Sequence, residues 1–349
     1  MLLTAEDFEQ EADRLLPLEV FSYLAGGAGQ ETTLARNTAQ WAEIGLMPRH
    51  LRNLAGGTAA RQILGAALAF PALVAPMAFQ RLACPEGEAA MRLAAAAQGI
   101  GMVLSCQTSV APEDLPQAPG PLWFQLYLQP DPQVTRALAA RALAAGAEAL
   151  VVTIDAPING LRNREVRAGF RLPQGVQAVM MPPPPQLPEG GSLVFDGLMA
   201  LAPVWADLAA LCAESPVPVL AKGVLHPDDA ALAIEAGCAG VVVSNHGGRV
   251  LDGVPGVADV LPAIRARLPG LPVLADGGIR QGSDIFKALA LGADAVLIGR
   301  PAFYGLAVDG ARGASQVLRR LREEFEVTMA LCGCRSPDEI GPETLYLKR

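Results

Sequence analysis

The sequence is poor in the residues that usually announce metal or nucleic-acid chemistry. Histidine occurs only at 50, 226 and 246, and no HxH or HExxH brings two of them to metal-ligand spacing, so no metal site is expected. Positive charge is short as well. The 27 Lys and Arg against 35 Asp and Glu leave a formal net charge of -8 with no basic run, which excludes the electrostatic footprint of a nucleic-acid binder. No strand-like stretch leads into GxGxxG; LAGGAG at 24–29 follows a helix-like segment, and the dinucleotide fingerprint is missing. Six cysteines at 84, 106, 212, 238, 332 and 334 include no CxxC, a pattern that predicts buried, reduced thiols in a cytoplasmic protein. Gly, Pro or charge interrupts the apolar stretches before a membrane span is reached. The opening MLLTAEDFEQEADRLLP carries acids from its sixth residue and reads as no secretion signal.

What remains is a globular composition, 51% hydrophobic and 18% charged, with a repeated grammar. Eight short apolar runs each end in polar or small residues: ALVAP (72–76), GMVLS (101–105), WFQLY (123–127), ALVVTID (149–155), PVLAKG (218–223), GVVVSN (240–245), PVLADGG (272–278) and AVLIG (295–299). Ala/Leu-rich stretches of helical spacing separate most of them. Continuous apolar runs suit parallel strands covered on both faces, and eight in alternation with helices predict an α/β fold, a closed (β/α)8 barrel. One domain over 1–349 is expected: a helical extension over 1–70, the barrel over 71–349, and a long loop region over 156–217 after the fourth strand. The prolines of MMPPPPQLPEGGSLVFDG forbid a regular helix there, and a loop or flap over the barrel mouth is expected.

Barrel enzymes assemble their chemistry at the C-terminal ends of the strands. Applied here, the rule gathers Ser105, Gln125, Tyr127, Thr153, Lys222, His246, Arg249, Asp276 and Arg300 on one rim. Gly277-Gly278 follow the seventh strand and Gly299-Arg300 the eighth, where barrels commonly bind phosphate; the alternative is that these glycines only make tight turns. A mononucleotide fits this better than NAD. Lys222 could form a Schiff base, pair with Asp276, or sit beside a cofactor that becomes anionic. His246 can take a proton near neutral pH and Arg249 can clamp a carboxylate through two parallel donors, with the intervening glycines allowing close approach. His50 and His226 read as loop and helix-start residues. Tyr23 and Tyr127 could donate to a carboxylate or alkoxide, while Trp41, Trp123 and Trp205 read as packing residues.

These segments carry a resemblance over nearly the whole length. VFSYLAGGAGQETTLARN, APMAFQRLACPEGE, FQLY, VVTIDAP with GLRNRE, LAKGV, SNHGGR and DGGIRQGSDIFKALALGADAVLIGRP resemble the FMN-dependent L-2-hydroxy acid oxidase/dehydrogenase family. The first two look most like its bacterial mandelate and hydroxymandelate oxidases. The resemblance implies a TIM barrel with bound FMN, usually a homotetramer, oxidising an L-2-hydroxy acid to the 2-keto acid. It implies His246 as the base, Asp155 as the acid that orients it, and Tyr23, Tyr127, Arg162 and Arg249 around the substrate. Ser105, Gln125, Thr153 and Lys222 match flavin-contacting positions. Pro76, Met77 and Ala78 match the loop beside the isoalloxazine, and Asp276, Gly278, Gly299 and Arg300 the ribityl and phosphate end. Val250, Met77 and Gln107 depart from the family pattern, which points towards a larger, mandelate-like substrate. Ala78 is the residue type of the oxidases and favours O2 as acceptor, with H2O2 as product. The region 156–217 lacks the basic patterning of the membrane-bound members, and no membrane partner is expected. The alternatives are a dehydrogenase that passes electrons to a quinone or carrier protein, an isopentenyl diphosphate isomerase type of FMN barrel, and a non-catalytic flavin-binding module.

Overall fold

The computed structural model describes residues 2–183 and 190–347. Eight parallel strands close into a barrel: β1 (Ala72–Val74), β2 (Gly101–Ser105), β3 (Leu122–Leu126), β4 (Ala149–Thr153), β5 (Val219–Val224), β6 (Gly240–Ser244), β7 (Val273–Asp276) and β8 (Ala295–Ile298), with β8 paired back to β1. Each apolar run named from the sequence supplies one strand. The runs are continuous because both faces are covered. Leu73, Val103, Trp123, Val151, Leu220, Val242, Leu274 and Leu297 fill the interior, while alternate residues such as Phe124, Val152 and Val243 pack outward under the helices. A hairpin, Arg61–Ile63 with Ala66–Leu68, adds Ile63 and Leu68 to the inner cluster and plugs the end away from the polar rim.

The N-terminal extension contributes three helices, α1 (Ala5–Leu15), α2 (Leu18–Ala25) and α3 (Thr32–Glu43). Thr4 caps α1 in a reciprocal box with Asp7, satisfying backbone donors that a helix start leaves free. Seven longer helical elements follow within the barrel: α4 (Glu88–Ala97), α5 (Pro132–Ala144), α6 (Trp205–Glu214), α7 (Pro227–Glu235), α8 (Val257–Arg267), α9 (Gly282–Ala290) and α10 (Arg300–Cys332), the last broken by a kink at Asp309 and Gly310. One irregularity matters for the rim. The β5–β6 register slips between Lys222 and Val224, so Gly223 forms a bulge at φ +105°. A Cβ on Gly223 would overlap the Asp155 carboxylate, so only glycine leaves that side chain its place.

The region after β4 is more ordered than its prolines imply. Residues 163–167 make one helical turn, 193–201 wind into short π and 3-10 turns, and α6 is a regular helix. The expected loop region therefore ends near residue 204 rather than 217. Asp207 accepts from the Val204 amide at 2.8 Å and starts α6, while Leu208 and Leu211 bury its inner face. Residues 184–189 of the proline-rich stretch lie outside the described residues. By length and composition Leu193–Glu214 is apolar enough to cross a membrane. The backbone is extended at Ala202 and Val204, however, so the stretch is two elements and not one helix.

Candidate active site

At the C-terminal ends of the strands lies one cavity of about 1170 Å³. All nine rim residues named from the sequence line it, together with Tyr23, Pro76, Met77, Ala78, Asp155, Arg162 and Gly299. Gly278 is the exception. A Cβ there would overlap the Asn37 carbonyl of α3, and the Gly277 carbonyl accepts from Trp41 Nε1 at 2.9 Å, so this glycine pair makes room for a helix. Spacing alone cannot distinguish a space made for a ligand from one made for α3.

Ser244, the last residue of β6, organises the centre. Its Oγ accepts from Lys222 Nζ at 3.1 Å and from the His246 amide at 3.0 Å, and donates to Asp276 Oδ2 at 2.8 Å. Lys222 is 4% exposed and pairs with Asp276 at 2.6 Å, the pairing option left open by the sequence. Burial raises the Asp276 pKa, but the Lys222 charge and the bonds from Lys222 and Ser244 outweigh it and hold the carboxyl below its ordinary range. A buried lysine without such a partner would cost several kcal/mol, roughly.

The turn after β6 is backbone-strained and heavily anchored. His246 sits at φ 56°, a left-handed conformation uncommon for a side chain of this size. Gly247 continues at φ 63°, and a Cβ on it would stand 2.8 Å from Arg300 Nη1. The glycines thus shape the turn against its protein neighbours. Asn245 exchanges two hydrogen bonds with Asn37 of α3, at 2.8 and 2.6 Å, a link with no sequence signal. His246 Nδ1 lies 2.8 Å from Asp155 Oδ1, which leaves Nε2 as the second ring nitrogen of a residue lining the cavity.

Arg249 spends Nη1 on the carbonyls of Tyr23 and Gly26, at 2.6 and 2.8 Å. Its guanidinium stands 5.1 Å over the Tyr23 ring, which stacks on Phe170 with centroids 4.4 Å apart. Arg162 donates to the Arg249 carbonyl at 3.4 Å. Glu165 is shared between them, 3.5 Å from Arg162 and 4.0 Å from Arg249. Burial first, then the Arg162 charge, lowers the Arg249 pKa, and one shared carboxylate leaves the two arginines open to a second anion. Burial raises the pKa of Tyr23 and of Tyr127, so both hydroxyls stay protonated donors at neutral pH. Arg300 donates to the carbonyls of Leu24, Gly26 and Gly247, and burial pushes its pKa down to about 10.

The donor set fits a flavin mononucleotide. Among the described residues, three buried side-chain polar atoms lack a partner, and two of them, Gln125 Nε2 and Asp155 Oδ2, belong to residues of this cavity. Ser105 Oγ donates to Gln125 Oε1 at 3.1 Å, which leaves the Gln125 amide as a buried donor for a heterocycle carbonyl. Glu165, Phe170 and the 198–205 stretch also line the cavity and were missed in the sequence. Glu165 stands three residues beyond Arg162, a spacing that signals pairing on a helical turn; Phe170 and Trp205 reach the cavity only through tertiary packing. His226 caps α7 and His50 is exposed, as expected from the sequence.

Comparison with known proteins converges on one group. The family described as FMN-dependent dehydrogenase matches residues 12–347. An L-lactate oxidase of Roseobacter sp. (strain GAI101) is 55% identical, the alignment covering 99% of this chain and 95% of that protein. A 4-hydroxymandelate oxidase of Amycolatopsis orientalis is 42% identical over 95% of this chain and 94% of its own length. Among solved structures, a mandelate oxidase with benzoyl-formic acid superposes with a TM-score of 0.91 at 40% identity, covering 100% of this chain and 99% of that one.

Proposed function

This chain belongs to the family of FMN-dependent 2-hydroxy acid oxidases and dehydrogenases, and on that premise we propose that it is an L-2-hydroxy acid oxidase that returns electrons to O2 as H2O2. FMN-dependent oxidation of a 2-hydroxy acid is its activity. The finer reading concerns which side chains perform it. The observation that carries it is the His246–Asp155 contact at 2.8 Å on a rim that also holds Arg162 and Arg249.

Gln125, Ser105, Thr153 and Lys222 would hold the flavin ring, with Pro76, Met77 and Ala78 lining the cavity beside it. Asp276, Gly299 and Arg300 would hold the ribityl and phosphate end, with the charge on Arg300 suited to the phosphate; Gly278 would contribute at most through its backbone. Bound FMN supplies the two-electron acceptor. Arg249 and Arg162 receive the substrate carboxylate, and the Tyr23 and Tyr127 hydroxyls donate to its oxygens. His246 Nε2 takes the proton of the 2-hydroxyl, and Asp155 holds Nδ1–H and stabilises the imidazolium that forms.

L-lactate is the proposed substrate, supported by the oxidase at 55% identity. A larger, mandelate-like acid is the second reading, favoured by the apolar wall that Met77, Phe79 and Phe170 build with Tyr23. The proposal extends to a cytoplasmic homotetramer, which sedimentation tests for assembly. Oxygen uptake with stoichiometric peroxide tests the acceptor. Turnover that needs a quinone or carrier protein and yields no peroxide replaces the oxidase with the dehydrogenase.

A further inference from the structure

Cys212 and Cys238 stand apart from the cavity chemistry yet face each other. Cys212 lies in the last turn of α6, and Cys238 sits between α7 and β6, 5% exposed. Their sulfurs are 3.8 Å apart, and both are free thiols. The two segments pack closely: a Cβ on Gly237 would stand 3.0 Å from the Cys212 Cβ. Cys238 is fixed by its backbone N–H, which donates to the Ala233 carbonyl at 3.0 Å, and by that of Ala239, which donates to the Val219 carbonyl at 2.8 Å. Cys212 lies two residues from the end of α6, where a helix frays at low cost. Closing the pair needs a sulfur shift of about 1.8 Å to reach the usual S–S bond length of about 2.0 Å.

We propose that Cys212 and Cys238 form a peroxide-responsive dithiol that closes into a disulfide tying α6 to the entry of β6. Cys212 is half-buried and reachable by a small oxidant, whereas Cys238 is enclosed. The contact with Cys238 lowers the Cys212 pKa, while the same contact and burial raise that of Cys238. Burial raises the other four cysteines. Cys212, the sulfur that a small oxidant can reach, is thus the attacking thiolate. Its sulfur attacks one oxygen of H2O2; the S–O bond forms, the O–O bond breaks, and hydroxide leaves to be protonated to water. The Cys238 sulfur then attacks the Cys212 sulfur, the S–S bond forms, the S–O bond breaks, and the hydroxyl departs as water with the Cys238 proton. Two thiols lose two electrons and peroxide gains them. That the enzyme makes its own oxidant rests on the O2 reading above; the dithiol does not.

The holoenzyme is treated with added H2O2, alkylated in denaturant and mapped by mass spectrometry without reductant. The expected result is loss of two of the six alkylatable thiols, with the Cys212 and Cys238 peptides linked and separated again by dithiothreitol. Cys238→Ala is expected to leave a Cys212 sulfenic acid that dimedone traps, and Cys212→Ser to leave Cys238 alkylatable. Both native thiols still alkylated, or Cys212 driven to sulfinic acid with no link, overturns the proposal. A second arm replaces added peroxide with turnover in air, with and without catalase. Peroxide formed in turnover gives a link that catalase suppresses; a link with added H2O2 but no peroxide from turnover overturns the acceptor reading and leaves the dithiol standing.

Discussion

The turn after β6 and the segment after β4 border the same cavity but are held in opposite ways. Residues 245–249 are tied to distant parts of the chain at every step: Asn245 to Asn37, His246 to Asp155, Arg249 to the carbonyls of Tyr23 and Gly26. Residues 190–204 make only local hydrogen bonds among the described residues, such as Ser192 to Asp196 at 2.6 Å. Leu193 and Phe195 stand 65% and 75% exposed there. Acid–base chemistry tolerates little displacement, so it belongs where tertiary contacts over-determine each side chain. A segment with local bonds alone can shift at low cost without disturbing the base. The rim is held by the whole fold and the segment by itself.

That division is broken most sharply at the rim. His246→Gln is expected to fold, keep FMN and slow anaerobic flavin reduction by about two to four decades, the usual worth of a general base. A rate within a few-fold of the native enzyme at saturating substrate would remove His246 from the chemistry. Asp155→Asn keeps the shape and removes the charge behind the ring. Loss of a charge-assisted bond worth about 1.5–3 kcal/mol predicts a slowing of about one to two decades at unchanged FMN content. Rapid mixing at saturating substrate separates this from a binding defect.

Arg249→Lys retains charge and loses the planar fork, together with the carbonyl bonds that orient it. A loss of about one to two decades in substrate affinity is expected, read from the concentration dependence of reduction. An unchanged Michaelis constant places Arg249 outside carboxylate binding. Phe195→Ser carries the smallest effect. An exposed substitution away from packed contacts shifts free energy by about 0.5 kcal/mol, so reduction by L-lactate stays within about twofold. A tenfold loss would show that the segment is part of the rim.

The same contrast marks what the sequence reveals by itself. The strands were legible because a barrel strand covered on both faces must be a continuous apolar run, and the barrel rule then places the polar residue at the end of each run on one rim. His246, Arg249 and Lys222 follow from that with no coordinates. The partners that fix them do not. Asn37 and Trp41 lie on α3, over 200 positions from the residues they hold, and no local periodicity announces such a bond. Gly277-Gly278 read as an anion cradle for the same reason, since glycine marks a close approach without saying what approaches. Trp205 reads as a packing residue and does pack on the core at the start of α6; that it also lines the mouth no local periodicity announces.

The central claim is that this rim oxidises a 2-hydroxy acid through a carboxylate clamp and a histidine base. Mixing the native holoenzyme anaerobically with both enantiomers of lactate and of mandelate, while following the flavin absorbance band, tests it most directly. The account predicts that the L enantiomers bleach the flavin and that the D enantiomers do not, with L-lactate reducing it fastest. A flavin that none of the four acids bleaches would contradict it.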